Sequence, residues 1–208
     1  MLFRSAIQSL YPALRIGETV SLASEIYSSV EEDQTALLVE INNYCEWTLD
    51  NAEYRIYAGR AYNRPSSISA GHTEAFSIID DLKGSITGSV TWKLTNDHYC
   101  HFYFYIHSAL KRWVDYQGNS IGIGCSNNSA YQFELITSQR FDGTSDNILQ
   151  HCSTDICIQI DAGASHQTRT TVDVIPKCVS HVAHNIEGDI SQSDLDTMIS
   201  DESDSNLG

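Results

Sequence analysis

Apolar and polar residues alternate along most of the chain after residue 35, and this period of two constrains the fold more than any other feature. Val90, Trp92 and Leu94 are separated by polar residues, and the pattern recurs in Tyr131–Leu135 and Ile156–Ile160. A strand with one buried face has this period. Further strand-like segments lie at about residues 35–43, 52–58, 73–80, 101–107, 120–124 and 169–175. Clusters of Gly, Asn, Asp and Ser separate them, so the sequence predicts a mainly β protein, an antiparallel β-sandwich.

The first thirty residues have a helical period instead. The apolar side chains of this stripe recur every three or four residues, at Leu2, Phe3, Ile7, Leu10 and Leu14. This spacing predicts an amphipathic N-terminal helix, which Pro12 should kink or end. A second, short helix is predicted at about residues 18–30. Such a stripe either packs against a sheet or lies in a membrane surface, and both explanations are kept.

The charge of the chain is strongly negative. Among its 208 residues are 27 Asp and Glu and 12 Lys and Arg, which gives a formal net charge of −15. This charge opposes attraction to phosphates, so nucleic acid is not an expected partner. Seven acidic residues and no Lys or Arg follow residue 186. We therefore expect an N-terminal helical segment at 1–30, a β-sandwich domain at 31–178 and an acidic disordered tail at 179–208.

Short motifs that could carry catalysis lack the structural context they need. Gly118–Gly122 fits the GxSxG pattern, but a nucleophile elbow requires a helix after the serine, and the residues after Ser120 are strand-like. Ser108–Lys111 fits SxxK without the companion motifs of that enzyme class. The sequence therefore predicts neither an enzyme nor a bound cofactor.

Histidine and cysteine residues form two groups, at residues 98–107 and 151–157. Neither group has the CxxC or HxxxH spacing that lets one turn present two metal ligands. No metal site is predicted, and we expect packed thiols with histidines at strand edges. The chain has six cysteines, and the sequence leaves both their disulfide state and their redox compartment open.

Aromatic residues are concentrated in residues 101–116. His101–Tyr105 reads as a strand in which Phe102 and Phe104 face one side and two tyrosines face the other. Trp113 and Tyr116 follow, next to Lys111 and Arg112, in what should be a loop. Such aromatic side chains can anchor a loop in the core, settle at the lipid headgroup boundary or stack on a sugar.

In their order along the chain, these segments resemble the actinoporin-like pore-forming proteins, first known from sea anemones. The segments that carry the resemblance are the amphipathic helix, the strands Thr35–Asn43 and Glu53–Gly59, the G-x-x-T-G-x-V segment Gly84–Val90, the aromatic strand Phe102–Ile106 and the aromatic loop Lys111–Tyr116. The likeness covers about residues 15–175. It implies a β-sandwich flanked by helices that binds phosphocholine headgroups, favours sphingomyelin, oligomerises, and inserts its N-terminal helices as a cation-conducting pore.

The resemblance also implies positions for a headgroup site. Val90 matches the valine that lines the family's pocket, and Tyr131 matches the first tyrosine of its tyrosine cluster. His107 stands where the family has a serine, and Trp113 and Tyr116 are what remains of the paired tryptophans of its membrane loop. Since most of the family's pocket is replaced, we expect a weaker preference for sphingomyelin than the family has, or a different headgroup.

The sequence therefore predicts a cytolysin that forms a homo-oligomer on the membrane. Lipid headgroups are expected to bind at Val90, His107, Trp113, Tyr116 and Tyr131, and Leu2, Phe3, Ile7, Leu10 and Leu14 are expected to insert. The N-terminus lacks the continuous apolar core of a secretory signal. We expect a soluble protein that acts on target-cell membranes after secretion or after storage in the cytoplasm.

Two non-lytic alternatives are kept beside this prediction. One is a lectin of the fungal fruit-body type, in which Trp113, Tyr116, Asn119 and Asn127 contact a sugar. The other is a lipid-binding sandwich of the aegerolysin type.

Overall fold

Twelve strands and one helix are present in the part of the chain that the structure, a computed structural model, describes. That part comprises residues 14–80, 84–94, 98–108, 118–126, 137–141, 148–153 and 155–177. The strands are β1 (Arg15–Ile16), β2 (Thr35–Asn43), β3 (Asp50–Ala58), β4 (Arg60–Tyr62), β5 (His72–Asp80), β6 (Ile86–Lys93), β7 (Tyr99–Ile106), β8 (Asn119–Ser126), β9 (Thr137–Phe141), β10 (Ile148–Cys152), β11 (Ile156–Ala162) and β12 (Gln167–Pro176). The helix is α1 (Glu18–Ser28).

The strands form two sheets, which confirms the prediction of a β-sandwich. The first sheet has the order β1-β5-β2-β12-β11-β10, with β4 also paired to β5, and the second has the order β3-β6-β7-β8-β9. Most pairs are antiparallel, but β12 runs parallel to β2 and β1 runs parallel to β5. Every strand segment predicted from the alternation within the described residues overlaps an observed strand. The segment Tyr131–Leu135 lies outside them, as do the predicted tail at 179–208 and most of the helical stripe before Leu14.

The core fills the space between the two inner faces. Phe102, Phe104 and Trp92 from the second sheet meet Leu37 and Phe76 from the first, and all five are 2% exposed or less. Tyr103 and Tyr105, on the opposite face of β7, are only half-buried. The alternation in the aromatic strand therefore predicted its two faces correctly.

A single glycine lets the chain pass from one sheet to the other. Gly59 joins β3 to β4 with a φ of 89°, a conformation that glycine adopts without steric cost. A Cβ atom at this position would lie 2.9 Å from a side-chain carbon of Ile78 and 3.2 Å from one of Ile86. The crossing is therefore too tightly packed for any other residue.

The register of the strands defines two ends of the sandwich. At the upper end, Ala58 lies opposite Thr87, and Thr87 in turn lies opposite Tyr105. At the lower end, Lys93 lies opposite Tyr99, and Tyr99 lies opposite Ser126. The connection 109–117 leaves and re-enters the fold at the upper end, whereas the connection 127–136 does so at the lower end.

The helix predicted at residues 18–30 is present as α1 and covers β5 and β2 on the outer face of the first sheet. Its buried side is small, with Ala23 against Leu38 and Ala75, and with Val20 and Tyr27 packed at the margin. Over the residues that the structure describes, no helix has the length and apolar content needed to cross a bilayer.

Candidate functional site

The most constrained feature of the upper end is the base of the connection 109–117. Asn119, the first residue of β8, is 1% exposed. Its Oδ1 atom accepts a hydrogen bond from the backbone N–H of His107 at 3.2 Å. Its Nδ2 group donates to the carbonyl oxygens of Gly163 and Ser165, both at 2.9 Å. One side chain thus ties both ends of the connection to the β11–β12 turn of the opposite sheet.

These bonds correct the expectation that Asn119 contacts a sugar in a lectin. Both N–H groups of its amide are already used, and the side chain has almost no exposed surface. Asn119 therefore holds the loop base together, and no part of its amide is presented to a ligand. Asn127 lies outside the described residues.

His107 lies at the same loop base, just beyond the end of β7. It is half-buried, and its ring packs edge-on against Tyr105 with 4.7 Å between the ring centroids. Because Tyr105 belongs to the outward-facing set of β7, the pair lies on the outer face of the second sheet. His107 therefore lies at the upper end, at the start of the connection that contains the aromatic residues.

Val90 lies in a different environment from His107. It is in the middle of β6, opposite Tyr54 and Phe102, and is 0% exposed within the core. The two residues occupy opposite faces of the second sheet, so the structure does not bring them into one pocket. Their parts in headgroup binding stay predictions.

Most of the other predicted site residues lie outside the described residues. Trp113 and Tyr116 fall in the connection 109–117, and Tyr131 falls in the connection 127–136. Among the residues of the N-terminal stripe, Leu2, Phe3, Ile7 and Leu10 precede the described part. Leu14 is within it and is half-buried, next to the short β1–β5 pairing at the lower end.

The N-terminal end of α1 is held at the lower end by a polar contact that sequence reasoning missed. Glu74 of β5 accepts hydrogen bonds from the backbone N–H of Thr19, at 3.2 Å, and from its hydroxyl group. The Thr19 hydroxyl oxygen also accepts a bond from the backbone N–H of Ala75 at 2.9 Å. A Cβ atom at Gly17 would overlap the Glu74 carboxylate, so a larger residue there would have to displace the Glu74 side chain from its contact with Thr19.

A cation–π contact holds the C-terminal half of α1. The guanidinium group of Arg169 on β12 lies 5.1 Å from the centroid of the Tyr27 ring. Burial raises the pKa of Tyr27, and the nearby charge of Arg169 acts in the opposite direction. The tyrosine therefore stays neutral, and its ring face binds the cation.

The segment after α1 is fastened at the upper end. His166 Nε2 donates to the carbonyl oxygen of Glu32 at 2.8 Å, and Gln167 Nε2 donates to that of Glu31 at 2.6 Å. His166 is the last residue of the β11–β12 turn (163–166) to which Asn119 is hydrogen-bonded, and Gln167 is the first residue of β12. The exit from α1 and the base of the aromatic loop are thus joined through one turn.

We predict that Thr19→Ala loosens α1 without unfolding the sandwich. The change removes one hydroxyl donor and leaves the Ala75 N–H without its acceptor, which should lower the free energy of unfolding by about 1 kcal/mol. For a domain of this size, the melting temperature should fall by about 2–4 °C. Calorimetry would measure the shift, and Ser21→Ala, at an exposed position of the same helix, is the control. Equal melting temperatures for native protein and Thr19→Ala would contradict the role of this contact.

The histidine and cysteine groups match the prediction in part: Cys100 is a packed thiol in the core, 2% exposed, but His101 is not an edge histidine. His101 is 3% exposed in the interior of the second sheet and not at a strand edge. Its Nδ1 lies 3.0 Å from Thr91 Oγ1, and its Nε2 lies 2.8 Å from Ser126 Oγ. Cys152 and Cys157 form a disulfide. Within the described ranges, no three His, Cys, Asp or Glu side chains are placed to hold one metal ion.

Comparisons with known proteins identify the fold. No protein-family model and no curated protein sequence matches the chain. The crystal structure of the lipid-binding protein nakanori is similar, with a TM-score of 0.61 at 10% identity over 83% of this chain and 85% of that one. Two structures of the lectin XCL from Xerocomus chrysenteron give TM-scores of 0.40 and 0.37 at 9% and 7% identity. Each lectin match covers 68% of this chain and 97% or 99% of the lectin chain. The chain thus has the sandwich fold of a protein described as lipid-binding.

Proposed function

We propose that the protein binds lipid membranes with its upper end and permeabilises them with its N-terminal segment. The aromatic loop at 109–117 enters the headgroup region, with His107 beside it. The apolar stripe that includes Ile7 and Leu10 then transfers into lipid and lines an oligomeric, cation-permeable pore. The similarity of the fold to nakanori supports the lipid-binding part of this proposal.

The observation that carries the proposal is the set of three hydrogen bonds made by the Asn119 side chain, to His107, Gly163 and Ser165, which we call the Asn119 clamp. Loops that insert aromatic side chains must hold them outward against the tendency of these residues to collapse onto the protein. Asn119 fixes both ends of the connection 109–117 to two sheets at once. The two ends of the connection that contains Trp113 and Tyr116 are therefore held in place, which favours contact of these two side chains with a membrane.

The way in which α1 is attached suggests how the N-terminal segment is released. Its N-terminal end is fixed at the lower end, away from the proposed membrane, whereas residues 29–34 are fixed at the upper end beside the loop base. Residues 29–34 can therefore serve as the hinge when α1 leaves the sheet. Its departure exposes few large apolar side chains, because Ala23, Leu38 and Ala75 form the buried part of the contact.

The apolar stripe can offset the cost of this release. A fully buried large apolar side chain contributes about 1.5–3 kcal/mol. Leu2, Phe3, Ile7, Leu10 and Leu14 make five such side chains, and partial transfer of this set into lipid gains several kcal/mol. In return, the release of α1 breaks the hydrogen bonds of Thr19 and the Tyr27–Arg169 pair, and it uncovers a small apolar patch.

The charge of the protein favours zwitterionic lipids. A net charge of −15 repels an anionic membrane surface, and the acidic cluster Glu31–Asp33 lies at the upper end itself. Phosphatidylcholine and sphingomyelin carry no net charge and avoid this repulsion. We therefore propose zwitterionic lipids, phosphatidylcholine and sphingomyelin among them, as the target.

Vesicle co-sedimentation of native protein, Trp113→Ala and Tyr131→Ala tests the docking surface. We expect binding to depend mainly on the loop at the upper end, so Trp113→Ala should weaken it about tenfold or more. Tyr131→Ala should weaken binding less, because the connection that contains Tyr131 leaves and re-enters the fold at the lower end. Tyr99→Ala, which removes a tyrosine at the lower end, is the matched control and should bind like native protein.

Three vesicle compositions separate the alternatives: sphingomyelin, phosphatidylcholine and glycolipid mixtures. Strict dependence on sphingomyelin that is lost in Tyr131→Ala but kept in Trp113→Ala would show a working choline pocket and overturn loop-driven docking. Binding to glycolipid alone would instead indicate a lectin.

A further inference from the structure

Five of the six cysteines lie within the described residues, and all five are at the lower end of the sandwich. Cys45 is the second residue after the end of β2, and Cys100 is the second residue of β7. Cys125 is the last but one residue of β8, Cys152 ends β10, and Cys157 is near the start of β11. The described cysteines are thus concentrated at the lower end, opposite the connection 109–117.

Four of these cysteines form two directly opposed pairs in antiparallel ladders. Cys152 lies opposite Cys157 between β10 and β11, and these two form a disulfide. Cys100 lies opposite Cys125 between β7 and β8, and both are thiols. Opposed side chains in such a ladder share one face, with Cβ atoms about 4.5–5.5 Å apart. A small adjustment brings this separation to the distance that a disulfide needs.

The two thiols of the second pair differ in accessibility. Cys100 is 2% exposed in the core, directly opposite Cys125 in the β7–β8 ladder. Burial raises the pKa of Cys100 well above its ordinary value, and the neighbouring sulfur atoms of Cys125 and Cys45 raise it further. Cys125 is partly exposed at the edge of the same core. A reagent in solution therefore meets Cys125 first.

We propose that Cys100 and Cys125 form a second cross-strand disulfide by exchange with a small-molecule disulfide such as glutathione disulfide. The Cys125 thiolate attacks one sulfur of the oxidant, which breaks its S–S bond and releases one glutathione thiolate. The Cys100 thiolate then attacks the Cys125 sulfur and displaces the second glutathione. The two protein thiols lose two electrons and two protons, and the oxidant is reduced to two thiols.

This disulfide would close the β7–β8 hairpin at the end opposite the connection 109–117. The bond joins strands that are already paired, so the upper end keeps its structure. The site is independent of the proposed membrane function and remains testable if that function is wrong.

The test is thiol mapping of the folded 208-residue chain in glutathione redox buffers. After acid quenching and alkylation in denaturant, peptide mass spectrometry reports the state of each cysteine. As the glutathione disulfide fraction rises, we expect Cys100 and Cys125 to lose alkylation together and to appear as one linked peptide without bound glutathione. Cys45→Ser should give the same link, and Cys100→Ser should retain glutathione on Cys125.

Three results would overturn the proposal. One is glutathione that remains on Cys125 in the native chain. Another is a link from Cys100 to Cys45 instead of Cys125. The third is full alkylation of Cys100 and Cys125 in the most oxidising buffer.

Discussion

Replacement of Asn119 by alanine is expected to lower the free energy of unfolding by about 2–4 kcal/mol, because it removes three hydrogen bonds and leaves partly buried backbone groups without partners. The carbonyl oxygens of Gly163 and Ser165 lose their donor, and the backbone N–H of His107 loses its acceptor. The melting temperature should fall by about 4–16 °C for a domain of this size. Calorimetry measures this loss directly.

The same variant should also lose membrane binding at temperatures where it is still folded. Without the Asn119 clamp, the ends of the connection 109–117 are no longer fixed to both sheets. The connection that carries Trp113 and Tyr116 is then no longer held for contact with the membrane. Ser120→Ala, at the next and only half-buried position of β8, is the control for both measurements. If Asn119→Ala binds vesicles like native protein while its stability falls, the clamp is structural only and does not support docking.

Ile7→Glu and Leu10→Glu are each expected to abolish leakage while vesicle binding is retained. A glutamate placed on the apolar side of the stripe must be buried in lipid on insertion, which costs several kcal/mol. Docking by the upper end does not use these residues, so co-sedimentation should be unchanged. Circular dichroism should show the native β content in both variants.

Gln8→Glu is the matched control for these variants. It adds the same charge to the same segment, but at a polar position of the stripe. Leakage should persist in this variant, since its glutamate can face the water-filled side of the pore. Leakage that survives both Ile7→Glu and Leu10→Glu would show that the pore does not use this segment.

The period of two predicted the sandwich because it records which face of each strand is buried. The core positions of β6 and β7, such as Val90, Trp92 and Phe102, could be read directly from it. The same rule does not reveal which strands are neighbours. The parallel pairing of β12 with β2 joins strands that are far apart in sequence, and local periodicity carries no signal of it.

Polar contacts between distant segments escaped prediction for a similar reason. Asn119 and Gly163 are 44 positions apart, and Thr19 and Glu74 are 55 apart. Each contact depends on the tertiary fold, while each residue by itself looks like an ordinary loop or helix-start residue. An asparagine at the first position of a strand, where it is intrinsically disfavoured, was the one local signal for the clamp.

For His101, the alternation predicted the correct face of the strand, but the predicted environment was wrong. The alternation placed it on the face opposite Cys100, and the structure agrees. It was expected at an edge, but β7 is the central strand of its sheet, so Thr91 on β6 and Ser126 on β8 both reach its ring. The position of a strand within a sheet decides whether an outward-facing polar residue is buried.

Dye release from vesicles of defined composition tests the central claim most directly. The full-length protein is added to vesicles of phosphatidylcholine, of phosphatidylcholine with sphingomyelin, and of phosphatidylcholine with phosphatidylserine, each loaded with a self-quenching dye. We predict release from both zwitterionic preparations, faster with sphingomyelin, and much slower release with the anionic lipid. Absence of release from all three preparations by folded protein would contradict the account.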